Sequence, residues 1–440
     1  MTELFGLYTH TIAINMEARI TIIHGPNGVG KTVLLKMVEN LFAGKYDELS
    51  AVPFESFQVS LDNNYVISVA ADIGDDGSES AGRPLLIRLV SGGSEIGSFR
   101  YSMSPAALSE LANAIERQVP WVTRLGSDTW LDDRTGQRSS TTQLVRQNPA
   151  YLPEAVRRRV LTEPEWLIKL QSQVRVYLIE TQRLLRTSPQ DSSRYSPRAS
   201  MAHAATVKQY ADKLTSTISQ NLAEYGSQSQ TLDQSFPERL INGNIIPLGI
   251  DALKSQLSRI EEKRKTFAAI GLIDEATQFN IGDLDRLEQS QRPTMTLYVA
   301  DSAQKLSILD VLAQRIQLFL EIVNAKFRNK RILISRERGL VAESLFGQRF
   351  DLESLSSGEQ HELVLTYDLL FNVGPNTFVM IDEPELSLHL YWQKAFLEDL
   401  LRIVRTTQMD VLLATHSPFI AGDRPDLMVA LTTDIPVDVP

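Results

Sequence analysis

A glycine-rich run near the start of the chain, Gly25-Pro-Asn-Gly-Val-Gly-Lys-Thr32, constrains this sequence more than any other feature. The residues before it, Ile20 to Ile23, are β-branched and mostly apolar, which is typical of a buried strand. After it, apolar residues recur at helical spacing until Gly44, a residue suited to end a helix. A phosphate-binding loop requires this strand–loop–helix setting, so the sequence predicts binding of a nucleoside triphosphate.

The residues of the run have separate expected tasks. Glycines let backbone N–H groups turn towards phosphates, and the helix N-terminus adds a partial positive charge. Lys31 is expected to reach the β- and γ-phosphates, and the Thr32 hydroxyl to hold Mg²⁺. The residues expected to bind the nucleotide here are Gly25, Pro26, Asn27, Gly28, Val29, Gly30, Lys31 and Thr32.

Composition limits the other possibilities. A net charge of −10 argues against nonspecific DNA binding by the whole surface. The basic stretch at Arg157–Arg159 leaves a local DNA contact open, beside the simpler interpretation of a solvated helix face. The absence of cysteine excludes disulfides and thiol catalysis. With no apolar run of about 18 residues and no signal-like start, we expect a cytoplasmic protein without a membrane partner.

The pattern along the chain predicts three regions. Residues 1–100 form a β-rich N-terminal lobe that contains the phosphate loop, residues 101–330 a mostly helical insertion, and residues 331–440 a C-terminal lobe. Strand-like runs in the first region are Leu4–Thr9, Thr11–Met16, Ser56–Leu61, Tyr65–Ala70 and Leu85–Leu89. The insertion also contains one expected strand, Val174 to Ile179, which ends near Gln182.

Apolar stripes around Leu214, Leu257 and Leu312 predict helices of about 20–25 residues within the insertion. At 1.5 Å per residue, an arm built from such helices spans roughly 30–40 Å, too short for a long coiled coil. A helical hairpin and a small bundle both fit the stripes. We favour a compact helical subdomain.

Further chemistry is concentrated in the last hundred residues. An apolar strand, Phe378 to Ile381, ends in Asp382 and Glu383, which are expected to contact the Mg²⁺ shell and to act as general base, respectively. His416 follows another apolar strand, where ligands bind in open α/β sheets, so a γ-phosphate contact is expected. Leu355–Glu359 is a Ser-Gly turn that opens a helix and aims polar groups at an anion, although such turns are common.

The segments GPNGVGKT, LSSGE, MIDEPELSLH and ATHSP occur in this order. Together they resemble the ABC-type ATPase heads of the SMC, RecF and OLD group, most closely the OLD/RecF-like ATPases of bacterial anti-phage operons. The resemblance implies an α/β fold: an ABC-type P-loop ATPase head with a β-rich N-terminal lobe and a helical insertion. It also implies hydrolysis of ATP, with ATP and Mg²⁺ as cofactors.

The resemblance also assigns roles to individual residues. Leu355–Glu359 would be the signature motif, which faces ATP bound on a second protomer, so that ATP joins two heads into a dimer or higher oligomer. Ser387–His389 falls at the D-loop, His416 at the switch histidine, and Gln182 at the Q-loop glutamine that senses Mg²⁺. The signature residues expected at the nucleotide are Ser356, Ser357, Gly358 and Glu359. Ser357 and Glu359 depart from the commoner LSGGQ form.

OLD proteins carry a Toprim nuclease domain after the ATPase head, whereas only 24 residues follow His416 here. We therefore expect a separately encoded nuclease effector, with a phage protein or DNA as trigger. The stand-alone ATPases of the PARIS system, which pair with a Toprim protein, and of the Septu system, which pair with an HNH nuclease, have this organisation; we favour the former. The alternatives are a RecF-like repair ATPase that clamps DNA and a slowly hydrolysing, ATP-locked scaffold. A small-molecule kinase has no use for the signature motif.

Overall fold

In a computed structural model, the described residues are 1–71, 83–102, 105–126, 130–133, 138–139, 141, 144–145, 148, 151, 163–180, 198–274, 280–386 and 388–431. The elements up to residue 180 are β1 Ile20–His24, α1 Lys31–Ala43, α2 Tyr46–Ser50, β2 Ser56–Ser60, β3 Tyr65–Ala71, β4 Leu85–Ser91, β5 Ser94–Tyr101, α3 Pro105–Gln118, β6 Val122–Arg124, β7 Trp130–Asp132, β8 Arg138–Ser139, α4 Glu165–Gln173 and β9 Arg175–Glu180. Those that follow are α5 Arg198–Asn242, α6 Ile250–Ala269, α7 Arg292–Ser307, α8 Asp310–Lys326, β10 Lys330–Ser335, β11 Gly339–Ser344, β12 Arg349–Phe350, α9 Ser357–Tyr367, β13 Thr377–Asp382, α10 Leu390–Thr407, β14 Asp410–Thr415, α11 Pro418–Ala421 and β15 Met428–Ala430.

The chain divides into two compact units, each built from separate segments. The first contains residues 1–180, 376–384 and 409–440, and the second residues 181–375 and 385–408. The three regions expected from the sequence, 1–100, 101–330 and 331–440, stay a prediction. Among the described residues, no helix combines the length and apolar character that a membrane crossing requires.

The centre of the first unit is a parallel sheet in the order β15-β1-β14-β13-β9. Its middle strands are buried on both faces, which explains why they read as continuous apolar runs in the sequence. Helix α1 covers this sheet with Leu34, Leu35 and Leu41, which share a core with Met380 and Leu412. Because the strands are parallel, their carboxyl ends meet at one edge of the sheet. The candidate site residues lie at this edge, at or just after the ends of β1, β9, β13 and β14.

Antiparallel strands complete the first unit: β2-β3-β4-β5 in one sheet and β6-β7-β8 in another. The strands expected at 56–61, 65–70 and 85–89 are confirmed as β2, β3 and β4. The strands expected at Leu4–Thr9 and Thr11–Met16 are wrong. Leu4 and Tyr8 form only an isolated bridge, because Glu3 and Phe5 have positive φ and turn the chain back on itself.

The second unit contains the long helices and the sheet β10-β11-β12. Leu214, Leu257 and Leu312 are 0–5% exposed, so the apolar stripes are confirmed as core. The expected length is wrong for α5, which has 45 residues. At Gly339 (φ 67°) a Cβ atom would lie 2.0 Å from the carbonyl oxygen of Ala211, so α5 and the β10–β11 turn touch backbone to backbone.

The mixed α/β architecture, with its parallel sheet and helical insertion, is the fold class expected from the sequence. That prediction is confirmed.

Candidate nucleotide-binding site

The loop between β1 and α1 has the backbone of a phosphate loop. Gly28 and Gly30 have φ values of 87° and 94°, a left-handed region that disfavours side chains. A Cβ atom at Gly30 would lie 2.4 Å from Leu4 Cδ2, whereas one at Gly28 would meet nothing within 4 Å. The loop therefore packs against Leu4 at Gly30 and has free space beside the Cα atom of Gly28.

Lys31 opens α1 and is only 6% exposed. Its Nζ donates hydrogen bonds to the carbonyl oxygens of Gly25 (2.8 Å) and Pro26 (3.1 Å). Hydrogen bonds to two carbonyl groups of the same loop thus hold the ammonium group within the loop. These are weak, neutral partners that phosphate oxygens can replace.

A residue that sequence reasoning missed supports the same loop. His10 is 4% exposed, stacks on Tyr8, and donates from Nε2 to the carbonyl oxygen of Val29 at 2.9 Å. The carbonyl can only accept, so the proton lies on Nε2. A single histidine far before the motif carries no pattern that could have identified it.

The motifs at the ends of β1 and β13 meet directly. The Thr32 hydroxyl donates to the carboxylate of Asp382, at 2.9 Å from Oδ2 and 3.1 Å from Oδ1. The pKa of Asp382 is raised to about 6, chiefly by burial and also by the nearby charges of Glu383 and Glu180, against the opposing effects of Thr32 and Lys36. A hydroxyl and a carboxylate are hard oxygen donors of the kind that Mg²⁺ prefers.

Glu383 and His416 lie beside this pair. Glu383 has a φ of 48°, uncommon for a residue with a side chain, and its N–H donates to the carbonyl oxygen of Ala414 at 2.8 Å. His416 Nδ1 is 3.4 Å from Glu383 Oε1, with the glutamate side chain 22% exposed. The backbone of Glu383 is therefore held in place by a hydrogen bond, while its carboxylate stays accessible to solvent. Access to water is what a general base in hydrolysis requires.

Glu180 is a further site residue that sequence reasoning missed. It ends β9 directly opposite Asp382 in the strand register, and its Oε1 is 2.9 Å from Lys36 Nζ of α1. Its position at the end of an apolar strand was the available signal. Gln182, the expected Q-loop glutamine, lies outside the described residues, as does Arg157–Arg159.

The signature segment lies in the second unit. Ser356 is the N-cap of α9 in a capping box: its N–H and hydroxyl donate to Glu359 Oε2 at 2.9 and 2.8 Å. Lys330 Nζ contacts the same oxygen at 3.0 Å. Burial alone would raise the pKa of Glu359, but the hydrogen bonds from Ser356 and the attraction of Lys330 lower it. Ser356 and Ser357 are exposed, Gly358 is half-buried, and Glu359 is buried beneath them.

The structure thus brings Lys31, Thr32, Asp382, Glu383 and His416 to one edge of the sheet in the first unit. The signature residues and Leu388–His389 belong to the second unit, and Ser387 lies outside the described residues. His389 caps α10, since its Nδ1 accepts from the N–H of Tyr391. The roles assigned to all these residues stay predictions.

This arrangement defines an ABC-type P-loop ATPase head. The family model AAA_21, described as "AAA domain, putative AbiEii toxin, Type IV TA system", matches residues 20–422. The chain belongs to this family and carries its ATPase domain.

No curated protein sequence matches the chain. Among solved structures, it is similar to an Smc head domain with an extended coiled coil from Pyrococcus furiosus, bound to the C-terminal domain of ScpA, with 12% identity and a TM-score of 0.33. It is also similar to an SMC head domain from Thermotoga maritima, with 10% identity and a TM-score of 0.33. Each comparison covers 98% of this chain and 92% of the other. The site is assigned from its own residues and not from these similarities.

Proposed function

We propose that this protein binds ATP together with Mg²⁺ at the carboxyl edge of the parallel sheet. The observation that carries the proposal is the hydrogen bond between Thr32 and Asp382, which joins the loop motif to the strand-end carboxylate. These two residues would hold Mg²⁺, and the ion would supply positive charge against the phosphates. The match of the chain to an ATPase family supports this assignment.

The loop residues would bind the triphosphate itself. A Cβ atom at Gly28 would meet nothing within 4 Å, and the start of α1 would offer its backbone N–H groups and the positive end of the helix dipole to an anion. Lys31 would exchange the carbonyl oxygens of Gly25 and Pro26 for phosphate oxygens. A charge-assisted bond to phosphate is stronger than a bond to a neutral carbonyl, so binding favours this exchange.

Hydrolysis would follow from the position of Glu383. As general base, its carboxylate would accept a proton from the attacking water, while its backbone bond to Ala414 keeps it in place. His416, 3.4 Å from Glu383, would hold that carboxylate and contact the terminal phosphate. The partial exposure of both side chains leaves room for a water molecule.

We further propose that two copies of the chain pair around ATP. The exposed Ser356 and Ser357 at the start of α9 would face the nucleotide bound on the other copy, together with Gly358 and Glu359. A helix N-terminus with exposed serine side chains is suited to an anion. Pairing would then depend on ATP, and hydrolysis would release the pair.

The cellular role we propose is control of a separately encoded nuclease, of Toprim or HNH type, in defence against phage. The motif resemblance to stand-alone defence ATPases supports this role, and the family description, which names a toxin and a toxin–antitoxin system, is compatible with a two-component arrangement. A phage protein or DNA would be the trigger, and the complex would work in the cytoplasm.

The binding proposal is tested by Lys31→Ala, with the exposed Lys169→Ala as a control that removes the same charge elsewhere. Because the loop loses its ammonium group, affinity for a fluorescent ATP analogue should fall about a hundredfold, equivalent to about 2.7 kcal/mol. The control should bind as the wild type does, and chelation of Mg²⁺ should weaken wild-type binding. Equal affinity in both variants would contradict the assigned site.

A further inference from the structure

One carboxylate oxygen in the signature segment receives three hydrogen bonds. Glu359 Oε2 accepts from the N–H of Ser356 (2.9 Å), from the hydroxyl of Ser356 (2.8 Å) and from Lys330 Nζ (3.0 Å). The capping box is already complete with Ser356 and Glu359. Lys330 is therefore an addition that the helix cap itself does not require.

Lys330 is well placed to remain at this carboxylate. It begins β10, its side chain is 25% exposed, and its ammonium group lies 6.0 Å from the ring centre of Phe350, within reach of a cation–π attraction. Glu359 is 8% exposed, directly beneath the exposed Ser356. A buried negative charge thus lies under the surface that is proposed to meet the phosphates of a second copy.

Two consequences follow for a phosphate that approaches Ser356. The hydroxyl has a single proton, and that proton is committed to Glu359 in this structure. It must leave the carboxylate before it can be donated to a phosphate oxygen. In addition, the charge of Glu359 repels the incoming anion unless a cation offsets it.

We propose that Lys330 is a positioning residue for the signature segment. Its ammonium group holds and neutralises Glu359, so that the Ser356 hydroxyl can turn from this carboxylate to the phosphates of ATP bound on a second copy of the chain without leaving an uncompensated buried charge. This inference rests on the proposed ATP-dependent pairing. The lowered pKa of Glu359 agrees with it, because the hydrogen bonds from Ser356 and the attraction of Lys330 keep the carboxylate ionised against the effect of burial.

Lys330 should be needed only when the residue at position 359 carries a negative charge. A glutamine there would keep the capping oxygen and carry no charge, so no cation would be required. Removal of Lys330 should therefore matter in the wild-type background and hardly matter beside Glu359→Gln. A residue that only supports the fold of β10 would be equally necessary in both backgrounds.

The experiment measures the ATP concentration at which half of the protein associates, by light scattering. Lys330→Met should raise this concentration at least tenfold in the wild-type background and less than twofold in the Glu359→Gln background. Lys330→Arg should restore association, because arginine keeps the cation. Binding of a fluorescent ATP analogue at low protein concentration, where pairing does not occur, should differ less than twofold among wild type, Lys330→Met and Lys330→Arg.

Thermal unfolding without ATP separates folding from function. If Lys330→Met lowers the melting temperature, Lys330→Gln replaces it as the uncharged variant that keeps a donor. Wild-type association in the uncharged variants, or an equal loss in both backgrounds, overturns the role of Lys330 alone. A wild-type protein that binds ATP and never associates overturns the pairing itself, and the inference with it.

Discussion

At the scale of single residues, the site is defined by groups distant in sequence. Thr32 and Asp382 are 350 positions apart and share a hydrogen bond. Asp382 lies close to the charges of Glu383 and Glu180, with Lys36 as the compensating cation. Burial is the main reason why the pKa of Asp382 is raised to about 6, and this excess of negative charge adds to it. It also makes a divalent cation a favourable addition to the site.

Glu383→Gln is the sharpest test at this scale. The amide cannot accept the proton of the attacking water, so turnover should fall by a factor of about 10²–10⁴ while ATP binding is retained. Phosphate release measures the turnover, and the same substitution at the exposed Glu95 serves as control. A wild-type hydrolysis rate in the Glu383→Gln protein would exclude the general-base role.

Sequence alone predicted those site residues that belong to local patterns. The phosphate loop depends on glycine spacing between a strand and a helix, and the pair Asp382-Glu383 ends an apolar strand; both are visible within ten residues. Glu180 ends an apolar strand in the same way and was overlooked, whereas His10 and Lys330 could not be found in this way. Each acts through a neighbour that only the tertiary fold supplies, and a single charged residue has no periodicity.

At the scale of elements, helix α5 is longer than the periodic pattern of apolar residues in the sequence indicates. Its middle, near Gly226, is polar and half-exposed, and Pro237 lies inside the helix, so the sequence suggests an end that the structure does not have. Arg239 explains the continuation. It donates to the Leu232 carbonyl in the turn that proline disturbs, and it forms a two-bond ion pair with the buried Asp301 of α7 at 2.6 and 2.7 Å.

A buried ion triad joins three other helices. Lys326 of α8 lies 2.5 Å from Glu362 of α9 and 2.8 Å from Asp399 of α10, with Lys326 and Glu362 only 4% and 3% exposed. Burial disfavours the ammonium, but the attraction of the two carboxylates outweighs this effect and raises the pKa of Lys326. The triad therefore fixes the signature helix α9 relative to α10.

Lys326→Met should destabilise the protein by about 3–5 kcal/mol, because it leaves buried carboxylates without a cation. The matched control is Lys254→Met, which removes an ion pair whose partner, Asp285, is 64% exposed and should cost less than about 1 kcal/mol. Urea unfolding measures both. Equal losses would mean that the triad contributes no more than a surface pair.

The same triad has a defined pH dependence. Since the folded-state pKa of Lys326 is raised, its stabilisation is fully present below the ordinary lysine value of 10.5 and is lost as the pH rises through the folded-state value. The difference in unfolding free energy between wild type and Lys326→Met should be constant at neutral pH. It should shrink only in strongly alkaline solution.

At the scale of the whole molecule, the proposed function requires two copies. Lys31→Ala should disable the nucleotide loop and Ser356→Arg the signature, so neither variant alone should associate with ATP. An equimolar mixture should form pairs with one intact composite site, because the intact loop of the Ser356→Arg copy meets the intact signature of the Lys31→Ala copy. Light scattering measures this complementation. A mixture that stays monomeric while wild type associates would argue against shared sites.

A separate prediction concerns the proposed nuclease effector. The purified chain should cleave neither DNA nor RNA with Mg²⁺ or Mn²⁺, because the described site is committed to ATP. Co-expressed with the product of a neighbouring nuclease gene, it should form a complex whose cleavage of plasmid DNA requires a phage-derived signal and intact Glu383. Cleavage by the isolated chain that persists in Glu383→Gln would reveal a nuclease site within this protein.

The strand order of the central sheet also determines when the protein can fold during its synthesis. Both neighbours of β1, which are β14 and β15, come from residues after 409, and β9 pairs with β13 after residue 376. At about 5–20 residues per second, a ribosome needs roughly 20–80 s to reach them after β1. During this time the apolar strand before the phosphate loop has no ladder partner, so the parallel sheet around β1 can form only after β14 has been translated.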